Sequence, residues 1–260
     1  MTLFFLAPLA IILSYSFLSK GDYGGVALPA TLANYSRFLD PLYLRILVRS
    51  FVMAGLATAL CLGAGYPLAY YIALYGGRHK NTLLFLVVLP FWTSLLVRTY
   101  AWIFLLRDTG LANTILLRLG WLTAPLPLLY NDGAVLLGLV YGFLPLMVLP
   151  LYASLERLDR TLLEAAADLG ARPAARWARV TLPLTRPGIY AGVILVFVSS
   201  LGAYITPDLL GGGRSLLIGN LVQNQFTTAR DWPFGSAVSL LLMGVVVAAL
   251  QLYRRRGERE

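Results

Sequence analysis

The chain has 260 residues, 58% of them hydrophobic and 13% charged, with a mean hydropathy of +0.73; one water-soluble core cannot hide that much apolar surface, so the chain belongs in a bilayer. Its 21 basic residues outnumber 12 acidic ones, but they fall between long apolar runs and are not gathered on one face or tail, which reads as topological charge and not as a nucleic-acid surface. A single cysteine, Cys61, and a single histidine, His79, exclude an internal disulfide framework, a thiolate metal cluster, a His-based metal site and a Ser/His/Asp triad.

Apolar runs long enough to cross about 30 Å of hydrocarbon predict six helices: Met1 to Phe17, Ser50 to Leu74, Thr82 to Leu106, Ala134 to Leu155, Gly188 to Ile205 and Phe234 to Tyr253. The first has no basic flank or small-x-small cleavage pattern, so a retained span is expected; its shortness leaves a start upstream of Met1 open. Pro67, Pro90, Pro145 and Pro150 fall inside these runs. Each removes a backbone hydrogen bond that lipid cannot replace, either as an ordinary kink or in a helix lining a wet pathway.

The basic residues set the orientation. Arg78, Lys80, Arg157, Arg160, Arg172, Arg176, Arg179, Arg186, Arg254, Arg255, Arg256 and Arg259 lie in the second and fourth connectors and the tail. The positive-inside bias makes those segments and both termini cytoplasmic, and the three longer loops external. In the outer loops, Leu111 to Leu122 carries Leu111, Ile115, Leu119 and Leu122 at helical spacing, the pattern of an interfacial helix. Gly211 to Gly213 reads as a flexible stretch or, more sharply, a phosphate cradle, which the absence of P-loop spacing disfavours.

The longest cytoplasmic connector, about 156–187, is the most informative segment. Leu162 to Leu169 is rich in helix formers, Gly170 suits a left-handed helix end, and Pro173 suits the first turn of a second helix. Leu158, Leu162, Leu163, Ala166 and Leu169 form an apolar stripe, and Arg172, Arg176 and Arg179 a basic face. No Asp or Glu lies in the middle of a span, which disfavours an ion-coupled carrier. No Gly-rich phosphate loop precedes Lys20 or Lys80, so the energy source is expected on another subunit.

Tyr70, Thr93, Ser94, Tyr141, Ser199, Ser200 and Tyr204 are the candidates to line a path, since aromatic faces and hydroxyls hold an amine cation without trapping it. Each has a plainer reading as an interface anchor or a hydroxyl bonded to its own helix. Asp108, Asp208 and Asp231 are candidates to contact an external binding protein or meet a cation, against the alternative of solvated loop charge. Arg49 and Arg98 either snorkel to headgroups or repel cations and dock a partner.

The order Glu164-Ala165-Ala166, three residues, Gly170, nine residues, Val180, one residue, Leu182-Pro183 resembles the EAA loop of binding-protein-dependent importer permeases, with Val180 where that family usually has Ile. Asn34 to Leu39, Leu89 to Trp102, Ile205 to Pro207, Leu209 to Gly212 and Asp231 to Gly235 look like the PotB-like permeases of spermidine/putrescine importers.

The resemblance implies an all-α polytopic membrane protein with six transmembrane helices and the type I importer (MetI-like) fold, a single permease domain over 1–260 in the inner membrane. It implies a second permease (PotC-like), an ATPase dimer (PotA-like) and a periplasmic binding protein (PotD-like) as partners. It further implies no catalytic residue, with ATP and Mg held by the ATPase and no cofactor by this chain. Glu164, Ala165, Ala166, Gly170, Arg172, Pro173, Leu182 and Pro183 then form the ATPase-coupling element. The expected cargo is a polyamine or similar small organic solute. The alternatives are the same machine with an amino-acid derivative or organophosphonate, or a stand-alone secondary carrier.

Overall fold

The computed structural model describes residues 2–213 and 215–257. Met1, where the first span was expected to begin, and Arg259 of the tail lie outside the described residues. The elements in order are α1 (Thr2–Ser16), β1 (Ser19–Lys20), β2 (Val26–Ala27), α2 (Ala33–Phe38), α3 (Pro41–Tyr75), α4 (Lys80–Val88), α5 (Leu95–Leu106), α6 (Leu111–Arg118), α7 (Asp132–Glu156), α8 (Arg160–Asp168), α9 (Pro173–Arg176), α10 (Leu182–Leu184), α11 (Arg186–Gly202), α12 (Ile205–Gly211), α13 (Ile218–Phe226) and α14 (Trp232–Gly257). They form two compact units, one drawn from residues 1–50 and 216–260, the other from 51–215.

Among the described residues three helices are long and apolar enough to cross a membrane: α3, α7 and the stretch Trp232–Ala249 of α14; counting two bent helix pairs as one span each makes five. The expected span Thr82 to Leu106 is not one helix. Its halves, Gly77–Trp92 and Leu95–Arg118, meet at 92°. The cause is local: Pro90 lies in a tight 3-10 turn, Leu89–Trp92, and Thr93 and Ser94 then turn extended, with ψ of 149° and 136°. The expected span Gly188 to Ile205 likewise stops at Gly202, with Ala203 extended, and α12 starts a new helix. Pro67, Pro145 and Pro150 remain inside unbroken helices.

In the unit of residues 51–215, α7 is the buried centre. Met147, Val148, Leu151 and Leu155 on α7 join Cys61, Ala69 and Ile72 of α3 and Val196 of α11 in one apolar core. Glycine lets α11 approach α7 at backbone distance: a Cβ on Gly188 would fall 2.6 Å from the Pro150 carbonyl oxygen and 2.5 Å from Ser154 Cβ, and one on Gly192 would meet Met147 Sδ at 2.6 Å. At the C-terminal end of α7, two residues beyond Ser154, Lys80 Nζ pairs with Glu156, joining the start of α4 to the last residue of α7.

The unit of residues 1–50 and 216–260 packs Phe38, Ile218, Leu221, Phe234 and Val238 together. β1 and β2 pair antiparallel, Ser19 opposite Ala27 and Lys20 opposite Val26. Among the described residues the buried charge of this unit is Asp231, 3% exposed. Its carboxylate accepts from Arg37 Nη1 at 2.7 Å and from the Phe234 amide at 3.2 Å, capping α14. The Arg37 guanidinium lies 4.1 Å from the centre of the Phe234 ring. Asp231 is therefore not a solvated loop charge but a packed ion pair.

Two outcomes are expected from this packing. Gly188→Ala forces α11 off the α7 backbone and should lower stability in detergent by about 1–3 kcal/mol, whereas Gly63→Ala, with open space around it, should not lower the melting temperature. Asp231→Ala leaves Arg37 unpaired and α14 uncapped and should cost about 2 kcal/mol, while Asp208→Ala, at an exposed position, should have no comparable effect in the same thermal melt.

Candidate functional site

The segment from Glu156 to Thr185 is built from short-range rules. Asp159 caps α8, its carboxylate accepting from the Thr161 amide at 3.0 Å. That backbone hydrogen bond holds the Asp159 carboxyl below the usual carboxylate range. The cap is thus at full strength at neutral pH and is lost as pH falls through the lowered value. At the other end of α8, Gly170 adopts φ 80°. Its amide donates to the Ala167 carbonyl at 2.8 Å and the Ala171 amide to the Ala166 carbonyl at 3.0 Å. These two bonds make a Schellman ending. Arg172 then turns extended (φ −61°, ψ 153°) and Pro173 opens α9. The helix, break and second helix expected here are present.

The second piece departs from a regular helix. Trp177–Thr181 is a π-helical turn, which changes the angular spacing of the three arginines. Arg172 and Arg179 are exposed; Arg176 is half-buried and its Nε is enclosed without a hydrogen-bond partner among the described residues. The single basic face expected for these arginines is therefore divided. Leu182 and Pro183 are half-buried where α10 leads to α11.

On α8, Glu164 and Ala165 are exposed and Ala166 is half-buried. Leu162 is 47% and Leu169 88% exposed, so much of the expected apolar stripe faces outward without cover. Behind α8 lies a cleft of about 360 Å³, bordered by Tyr70, Leu74, Glu164, Asp168, Arg176 and Trp177 among others. Tyr70, expected on the path, thus sits beside the residues of the loop, 6.5 Å from the Tyr66 ring and nearly parallel to it.

The remaining path candidates do not converge on one cavity. Thr93 and Ser94 occupy the 92° break, the Thr93 hydroxyl bonded to the Pro90 carbonyl at 2.8 Å. Tyr141 lies edge-on to Trp102 at 5.5 Å. Ser200 is buried, its hydroxyl without a hydrogen-bond partner among the described residues, and Ser199 is half-buried. Tyr204 precedes α12, 42% exposed. Asp108 borders a cleft with Arg107, Tyr130 and Gly212, and Asp208 is exposed in the first turn of α12. Arg98 is half-buried, with Nε and Nη1 enclosed and the guanidinium 5.8 Å from the Phe91 ring.

Residues that the sequence did not mark as site candidates hold the loop to the helices, among them Arg160, read only as topological charge. Arg160 Nη2 donates to the carbonyls of Leu74 at 3.1 Å and Ala73 at 3.4 Å. Tyr66 shares a 3.0 Å hydrogen bond with Thr185 and meets the Trp177 ring edge-on at 5.9 Å. One signal was legible: a cation in the first turn of a helix opposes the helix dipole, so Arg160 had to serve something other than α8.

The model of the family described as "Binding-protein-dependent transport system inner membrane component" matches residues 65–256. The chain is 44% identical over 252 residues to the spermidine/putrescine transport system permease protein PotB of Haemophilus influenzae, covering 97% of this chain and 88% of that protein. It is likewise 44% identical to PotB of Escherichia coli K12, covering 98% and 93%, and 38% identical to the E. coli inner membrane ABC transporter permease protein YdcU, covering 87% and 76%. Among solved structures, a chain of a bacterial ABC transporter involved in the import of alginate superposes with a TM-score of 0.74 at 17% identity, over 97% of this chain and 91% of that one. That likeness speaks to the fold. With the family model covering most of the chain and relatives of this identity covering nearly all of it, the chain belongs to the binding-protein-dependent transport system inner membrane components.

Proposed function

We propose that this chain is the six-span permease subunit of an ATP-binding-cassette importer for spermidine, putrescine or a closely similar amine. It carries no catalytic residue and is driven by a separate ATPase that holds ATP and Mg. The observation that carries the cargo is the 44% identity to PotB proteins over 97–98% of the chain. The partners are a second permease, an ATPase dimer and a periplasmic binding protein. Both termini and the loop 156–187 face the cytoplasm, by the distribution of Lys and Arg.

The coupling element is α8 with the turn that follows it: Glu164, Ala165, Ala166 and Gly170, then Arg172 and Pro173, with Leu182 and Pro183 leading back to the membrane. The exposure of Leu162 and Leu169 supports this, since uncovered leucines on a polar loop mark a partner surface. Small Ala165 and Ala166 allow close approach, and the Asp159 cap and the Schellman ending make α8 stiff enough to carry a displacement. ATP-driven closure of the ATPase dimer then moves α8, and the spans exchange inward and outward access as rigid bodies.

Reconstitution with the second permease, ATPase and binding protein should give ATP-dependent uptake of radiolabelled spermidine or putrescine. Glu164→Lys and Gly170→Asp should each abolish uptake with the permease still inserted and the ATPase less firmly bound. Uptake by this chain alone without ATPase would mean a secondary carrier, and a binding protein whose melting temperature no polyamine raises would mean another cargo. Within this chain Gly170 has open space around it, so an uncharged side chain is limited there by backbone conformation, while the carboxylate of Gly170→Asp would be buried without a partner against the docked ATPase. Activity should fall in the order Gly, Asn, Ala, Val, with Ala costing the turn roughly 1 kcal/mol.

A further inference from the structure

The last carbonyls of a helix have no partner within it. At the end of α3 the Ile72 carbonyl accepts from the Gly76 amide at 3.2 Å, and the next two, Ala73 and Leu74, accept from Arg160 Nη2 at 3.4 and 3.1 Å. The guanidinium also lies at the negative end of the α3 dipole, where a cation is favoured, although it leaves from the positive end of α8, where it is not. Arg160 is therefore oriented toward α3. An open cleft separates α8 from α3 beside this contact, so apolar packing does not do the same work.

A second grip lies higher on the same helix. The edge of Trp177, from the π-helical turn, meets Tyr66, and the Tyr66 hydroxyl bonds to Thr185 at the start of α11. From residue 66 to residue 74 a helix advances about 12 Å. A rod held at two points that far apart is tilted by a displacement of its holder, not merely dragged.

We propose that Arg160 is the positioning residue through which movement of α8 reaches α3. It grips the α3 C-terminal carbonyls while the Tyr66–Trp177–Thr185 contact serves as the second point of the lever. This rests on the reading of α8 as the ATPase-docking helix. Arg160 touches neither nucleotide nor solute; it acts by tying the docked helix to a span.

The test uses the complete transporter in proteoliposomes with its loaded binding protein, comparing wild type, Arg160→Ala and Arg160→Lys. Arg160→Ala should leave the ATPase co-purifying and ATP hydrolysis near the wild-type rate, while solute moved per ATP falls about fivefold. Arg160→Lys, which keeps a cation and donors at the carbonyls, should recover much of the ratio. An unchanged ratio in Arg160→Ala would overturn the proposal, as would loss of ATPase binding in that variant, which would place Arg160 in docking instead of transmission. Failure of the ATPase to co-purify with the wild-type chain would instead overturn the underlying reading of α8. If Arg160→Ala accumulates poorly, spin labels at Tyr71→Cys and at Thr161→Cys, beside Arg160, on a Cys61→Ser background decide the matter in Arg160→Lys and wild type. The α8 to α3 distance should stay single and narrow through the nucleotide cycle in both, and a distance that varies freely with Arg160 in place would refute the tie.

Discussion

The close contact of α7 and α11 is the constraint on which the loop between them depends. At Gly188 the two helices meet with no side chain on the α11 side, against the Pro150 carbonyl and Ser154, and at Gly192 against Met147. Hydrophobic attraction between helices is absent in lipid, so close packing of this kind is what holds spans together. The loop of residues 157–185 leaves from the end of α7 and returns at the start of α11. Its two roots are thus fixed by one seam, and α3 is bound to the same core through Cys61, Ala69 and Ile72.

Within that frame the loop is stiff where its own hydrogen bonds close and open where they do not. Asp159 and Gly170 end α8 at both sides. The cleft behind α8 leaves it attached to α3 by a point contact and not by a face. A face would resist small rotations. A point contact transmits displacement while allowing α8 to change its angle, which suits a linkage between two rigid bodies.

What was legible in the sequence is what depends on near neighbours. The Gly170 turn and the Pro173 start follow from backbone preferences that need no tertiary context, and both are found where those preferences put them. The long apolar helices α3, α7 and α14 follow from composition. The break at Thr93 and Ser94 was hidden because hydropathy does not register direction: Thr82 to Leu106 is apolar throughout, and Pro90 alone does not distinguish a kink, as tolerated at Pro67, from a turn of 92°. Asp231 and Arg160 were hidden for a related reason. Their partners lie far along the chain, Arg37 194 residues from Asp231 and the carbonyls of Ala73 and Leu74 87 and 86 residues from Arg160, and charge counting treats each as solvated. The path candidates suffer from the same blindness, since a hydroxyl or ring carries no mark of which side of its helix is wet.

The Gly170 ending has a further property. Its hydrogen bonds run only among residues 166–171, and the space around the glycine is empty, so the turn asks nothing of the spans on either side. A motif with that independence behaves as an interchangeable part: it can keep its shape while the membrane helices around it diverge to handle different solutes. If the loop is the coupling element proposed above, the spacing from Glu164 to Pro183 is a fitting that stays constant while the rest of the chain is free to change.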